Sequence, residues 1–155
     1  MTRRHVLLWI VLMLVAGCGV RPSGVITGGP APTAPAEGVS LYFITNSTSL
    51  VRVRRPTPQH LSPTQTLLLL QAGPSGDDGF SNLTTEVPTG LGPVSVTIDA
   101  SGKADIGVTA DVTTLSSTAV DQIVCTVGEA LSSTAPITVT SGAATRGPRI
   151  CPLTG

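Results

Sequence analysis

Charge, aromatic rings and histidine are all scarce in this chain. Charged side chains make up 12% of its 155 residues, and nine basic against nine acidic groups cancel. A nucleic-acid partner needs a basic stripe to displace counterions from phosphates, so no nucleic-acid role is expected. Aromatics amount to 3%, and with Trp9 in the leader only Tyr42, Phe43 and Phe80 remain for stacking. That excludes a ring-lined platform for single strands or sugars. Two histidines, one of them His5 in the leader, leave His60 as the sole imidazole of the body. A histidine-based metal centre is therefore not expected, and neither is a cofactor. The spacings of serine hydrolases, zincins, dithiol redox sites and phosphate-cradling loops are absent as well. The chain is read as no enzyme.

What is present begins at the amino terminus. Arg3 and Arg4 precede an unbroken apolar run over residues 6–15, followed by Ala16, Gly17 and Cys18. A charged start, an apolar centre and a small-residue end describe a secretory signal, over residues 1–17. The run is about half of the ~20 residues that a spanning helix requires. Residues 15–18 (VAGC) resemble the bacterial lipobox, in which the cysteine thiol becomes a diacylglyceryl thioether. Cys18 is thus the expected lipidation site, and two acyl chains meet the condition for stable anchoring. The expected location is the extracytoplasmic face of the cell membrane, with the membrane itself a partner through the lipid.

Residues 18–38 carry the lipidated Cys and a tether rich in Pro, Gly, Ala and Thr, which cannot bury enough surface to offset its ordering entropy. One folded body is expected over 39–155. Residues 39–45 (VSLYFIT) read as a strand buried on both faces, and 50–55 (LVRVRR) as a second strand pairing back on it. Its arginines, Arg52, Arg54 and Arg55, suit a solvated strand edge. Ser62, Pro63 and Gln65 form a helix-start signature with a capping box, and Gly73-Pro74 a stop with a left-handed cap. Four leucines, 67–70, cover more than one face, which predicts a helix wedged between the sheet and another covering segment.

Residues 75–92 form a long turn-rich connection in which Phe80 and Leu83 are expected to plug into the core. Asp77 and Asp78 sit in it without the roughly six oxygen donors of a calcium cage. Alternation over 94–99 and 104–108 predicts a hairpin with one buried face. Ser117 and Thr118 then offer caps, with Asp121 at box spacing from Thr118. Val120, Ile123, Val124, Val127 and Leu131 form one helical apolar stripe. Residues 137–140 close the pattern as a last strand, before a turn and a tail through Cys151.

Strand, strand, helix, strand, strand, helix, strand is an α/β (α+β) order: two helices on a mixed sheet of about five strands. That order resembles the GerMN (sporulation and spore germination) domain family in its single-domain actinobacterial lipoprotein form. The resemblance rests on 41–43 (LYF), 50–55 (LVRVRR), 63–70 into 72–74 (AGP), the hairpin around 102–108 and 119–126 (AVDQIVCT), and it covers about residues 39–142. It implies an interaction module in envelope or sporulation-associated processes, with an envelope protein as partner. A cell-wall glycan-binding or envelope enzyme accessory factor is the alternative, using Asp77 and Asp78 or the arginines at 52, 54 and 55.

Cys125 and Cys151 remain beside Cys18, in a compartment that permits disulfides. One strand separates the helix of Cys125 from the tail of Cys151, so the tail can return along the helix and a bond is expected. A loop of about 25 residues closed in this way contributes roughly 3 to 4 kcal/mol. The rival reading is a reactive Cys125 thiol with His60 as its base.

Overall fold

The structure is a computed structural model that describes residues 38–46, 49–79 and 82–153. The leader, Cys18, the tether before Gly38 and Phe80 lie outside the described residues. Within them the order is β1 (Gly38–Thr45), β2 (Ser49–Pro56), α1 (Pro63–Ala72), β3 (Leu83–Thr84), β4 (Ser95–Ile98), β5 (Ala104–Gly107), α2 (Ser117–Ala130), β6 (Ile137–Ser141) and β7 (Ala144–Arg149). Short 3-10 turns at Gly76–Asp78 and Val112–Thr114 precede β3 and α2.

The α+β class with two helices and mixed strands is as expected, while the strands divide differently. They form a three-stranded sheet in the order β2-β1-β3 and a four-stranded sheet in the order β4-β5-β6-β7. The second is mixed: β5 and β6 run parallel and the other neighbours antiparallel. A parallel pair needs a crossover, and α2 is the crossover here. Two strands beyond the expected set account for the difference. β3 has only two residues, too few for a period, and β7 (ATRGPR) contains Gly and Pro, so pairing with β6 makes it a strand where its composition reads as a turn.

β1 pairs with β2 along its whole length and is buried from Ser40 to Ile44. Leu41 and Phe43 face the main core with Val53, Leu67 and Leu70. The first helix starts as its sequence dictates. Ser62 Oγ accepts from the Gln65 N–H at 3.3 Å, Gln65 Oε1 accepts from the Ser62 N–H at 2.9 Å, and Pro63 stands at the first position. Its stop is corrected in part: Gly73 takes a positive φ, 85°, that favours glycine, but its ψ of −175° lies outside the left-handed helical well. The wedge also needs correcting. α1 packs on α2, β1 and β4, with Leu67 and Leu70 fully buried, yet Leu68 stands open to solvent.

Ser116 caps α2, with its Oγ accepting from the Ala119 N–H at 3.0 Å, so Ser117 and Thr118 fall inside the helix. The reason is local: Ser116 is itself extended, φ −66° and ψ 160°, and its hydroxyl reaches the Ala119 N–H, while Asp121, the expected box partner, pairs with Arg149 at 3.1 Å. Val120, Ile123, Val124 and Val127 are buried as one stripe, and Leu131 packs partly buried at the helix end. Leu83 is likewise half-buried against the core. The β4–β5 hairpin turns on Asp99, whose Oδ1 accepts from the Ser101 and Lys103 N–H groups at 2.8 and 3.0 Å. Gly102 supplies the positive φ, 82°, that this turn requires.

Candidate functional site

The residues with the most chemical potential in the sequence do not converge. Arg55 grips Asp78 with two parallel bonds, Nε to Oδ1 at 2.9 Å and Nη2 to Oδ2 at 2.6 Å. Nη2 also reaches the Gly73 carbonyl at 3.2 Å, and the Ser75 N–H donates to Asp78 Oδ2 at 2.7 Å. The Arg55 hydrogen bonds hold the Asp78 carboxyl below the ordinary aspartate range, with help from Ser75 and against the effect of burial. The guanidinium carbon stands 5.8 Å from the Phe43 ring centroid. This buried pair fastens the 75–79 segment to β2, and Asp77 beside it is exposed.

The remaining acids are dispersed. Asp99 and Asp111 cap local turns, Asp105 accepts from Thr140 Oγ1 at 2.9 Å, and Asp121 pairs with Arg149. Among the described residues no group of three or more His, Cys, Asp or Glu is placed to hold a metal ion.

Polar groups do gather at the carboxyl end of α2. Glu129 lies against the outer face of the β1–β2 hairpin, where it forms an ion pair with Arg52. Arg52 Nε donates to Ser40 Oγ at 3.0 Å, and Ser40 Oγ donates to Glu129 Oε1 at 3.2 Å. The Tyr42 hydroxyl approaches Glu129 Oε2 at 3.4 Å. Burial, reinforced by the Glu129 charge, raises the pKa of this phenol, so it stays a protonated donor.

Two concavities meet at Glu129 and Ser132. One, of about 280 Å³, is walled by Tyr42, Gly128, Ser133 and the Cys125–Cys151 disulfide. The other, of about 200 Å³, runs along Gly38 and Ser40 to Arg54, His60 and Thr66. The disulfide has a Cα–Cα distance of 4.7 Å and ties α2 to the segment after β7. Cys125 thus lines the first concavity as half of a disulfide, whereas His60 lines the second, and the arrangement provides no thiolate–imidazole pair.

Sequence reasoning missed the residues that join α2 to β1. Gln122 and Thr126 are fully buried polar side chains on the helix. Thr126 Oγ1 accepts from the Tyr42 N–H at 3.1 Å, and Gln122 Nε2 donates to the Tyr42 carbonyl at 2.8 Å. β3 covers that edge of β1 only at Ile44 and Thr45, so helix side chains replace a neighbouring strand at Tyr42. Two polar residues at i and i+4 amid an apolar stripe are the signal that could have revealed them.

The body is thus a small α+β unit with a crossover helix between parallel strands and a polar cleft at that helix's carboxyl end. A family model described as sporulation and spore germination, the Germane family, matches residues 40–142. The chain belongs to that family. Among solved structures it is similar to the first GerMN domain of the sporulation protein GerM from Bacillus subtilis, with a TM-score of 0.56 and 19% sequence identity. That likeness covers 71% of this chain and 86% of that one, and it shows the fold. No curated protein matches the chain.

Proposed function

We propose that this chain is a lipoprotein anchored through Cys18 on the extracytoplasmic face of the cell membrane. Its GerMN domain serves there as a non-catalytic interaction module in envelope or sporulation-associated processes. The anchor is supported by the leader of residues 1–17 ending in VAGC. Among the described residues no helix is long and apolar enough to cross a membrane.

The observation that carries the non-catalytic reading is the engagement of the reactive side chains in the fold itself. Asp78 is chelated by Arg55, Glu129 accepts from Arg52, Ser40 and Tyr42, and Cys125 is bonded to Cys151. Of the five residues that would serve a glycan-binding or accessory role, Arg52, Arg55 and Asp78 are held in ion pairs. Asp77 and Arg54 are left exposed.

Affinity capture of the full chain from detergent-solubilised envelopes tests the reading. A defined protein partner recovered with the chain, and lost on substitution at the Glu129 cleft, supports it. Retention on purified peptidoglycan with no protein partner supports the glycan alternative instead.

A further inference from the structure

Among the described residues the sheets end in three outer strands longer than two residues, β2, β4 and β7. An exposed strand edge offers unused N–H and C=O groups, and proteins blunt such edges with charge and proline. β2 carries Arg52, Arg54, Arg55 and Pro56, and β7 carries Arg146, Pro148 and Arg149. β4 (SVTI) carries neither charge nor proline. Ile98 on this strand is 57% exposed, and Leu68, on the helix packed against β4, is 52% exposed.

The register of the hairpin fixes which backbone groups face outward. The Asp99 N–H donates to the Lys103 carbonyl at 3.0 Å, while Thr97 lies opposite Asp105 and Ser95 opposite Gly107. Hydrogen-bonded pairs alternate along an antiparallel ladder, so Thr97 and Ser95 bond inward to β5. Val96 and Ile98 therefore turn their N–H and C=O groups to the open edge.

We propose that this edge pairs with β4 of a second copy of the chain, antiparallel, across a two-fold axis through Thr97. In that register Val96 meets Ile98 of the second copy and Ile98 meets its Val96. Each pair exchanges two backbone hydrogen bonds, and the two four-stranded sheets become one continuous sheet. Thr97 meets its own counterpart as a non-hydrogen-bonded pair, Cα–Cα ~4.5 Å, a favourable Thr–Thr contact. The occupant is a second copy because the strand complements itself. One register uses every outward-facing group of Val96 and Ile98, puts no charge against a like charge, and covers Ile98 with the apolar Val96. A two-fold contact closes on itself, giving a dimer and no filament. The inference stands independently of the lipid anchor and of any envelope partner.

Cross-linking and sedimentation of the full chain in detergent test it. Thr97→Cys places the introduced thiols face to face, and under mild oxidation the chain should run as a covalent dimer on a non-reducing gel. Ser95→Cys puts them ~14 Å apart, four strand residues, and should not cross-link beyond the unmodified chain. Sedimentation velocity over a concentration series should show a monomer–dimer equilibrium whose dimer boundary is lost in Thr97→Lys, where two ammonium groups oppose each other. Thr97 is exposed, so that variant keeps the thermal stability of the parent monomer. A chain that stays monomeric without selective cross-linking overturns the proposal, and so does a dimer that survives Thr97→Lys.

Discussion

Gln122 donates from its side-chain amide to the carbonyl of Tyr42 at 2.8 Å, while its Oε1 accepts the N–H of Glu86 at 2.9 Å. One fully buried side chain of α2 thereby satisfies backbone groups of β1 and of the connection leading to β4. Replacing it with an apolar residue of similar bulk leaves a buried acceptor and a donor with no partner, each costing about 1 to 3 kcal/mol. Gln122→Leu is expected to lower unfolding free energy by about 2 to 6 kcal/mol in urea titration. A variant as stable as the parent would mean that water replaces both bonds.

Arg55 and Asp78 form a buried ion pair, and their pairing sets an acid limit. The Asp78 carboxyl titrates below its ordinary value when folded. Its contribution to stability is therefore complete above the unfolded pKa, about 3.9. It is lost as pH falls through the lower folded value. Asp78→Ala strands the Arg55 charge and should cost about 3 to 5 kcal/mol at neutral pH. The parent should lose its excess stability over Asp78→Ala as pH drops below about 4. A constant gap between the two across that range would contradict the assignment.

Tyr42 is the only tyrosine, so ultraviolet absorbance reads its ionisation without ambiguity. Burial first and the Glu129 charge second raise its pKa, while Arg52 opposes them. The neutral phenol is favoured by folding, so this contribution is complete below the unfolded pKa of about 10 and declines as pH rises through the higher folded value. Phenolate absorbance should appear above pH 10, earlier in Glu129→Gln and later in Arg52→Ala. Titration of the native phenol at its ordinary value would show that the hydroxyl is solvated.

Asp121 and Cys125 stand one turn apart on α2, and their partners Arg149 and Cys151 two residues apart after it in the chain. A helical turn and two extended residues advance by similar distances, about 6 Å and 7 Å, which lets both links form in register. The bond spans 26 residues, and opening it should lower stability by about 3.5 kcal/mol in the chain-entropy model. The ion pair is half-exposed and should matter by under about 1 kcal/mol. Thermal unfolding with and without reductant, in the parent and in Asp121→Asn, separates the two. A melting temperature unmoved by reductant would show that the tail is held by other contacts.

Local signals were legible and tertiary ones were not. The Ser62–Gln65 box and the Val120–Val127 stripe are written within one and about two turns of chain, respectively, and appear as read. β7 was opaque because a Gly-Pro-containing segment becomes a strand only when β6 lies beside it. The cap of α2 falls at Ser116, one residue before the serine and threonine expected, because Ser116, Ser117 and Thr118 are all capping types and only the backbone conformation chooses among them. Arg55 shares its run with the solvated Arg52 and Arg54, although strict alternation puts it on the face of Val51 and Val53. The doubled arginine at 54 and 55 marked the one that turns inward to Asp78. The cleft at Glu129 was unreadable, since its four polar side chains come from β1, β2 and α2.

A thioether at Cys18 is what would hold this domain at the membrane, and intact mass spectrometry of the protein purified from native membranes measures it directly. The expected result is a chain that begins at Cys18 and carries diacylglycerol on its sulfur, with membrane association lost in Cys18→Ser. An acyl-free chain released into the medium, or one retained in membranes after that substitution, would contradict it.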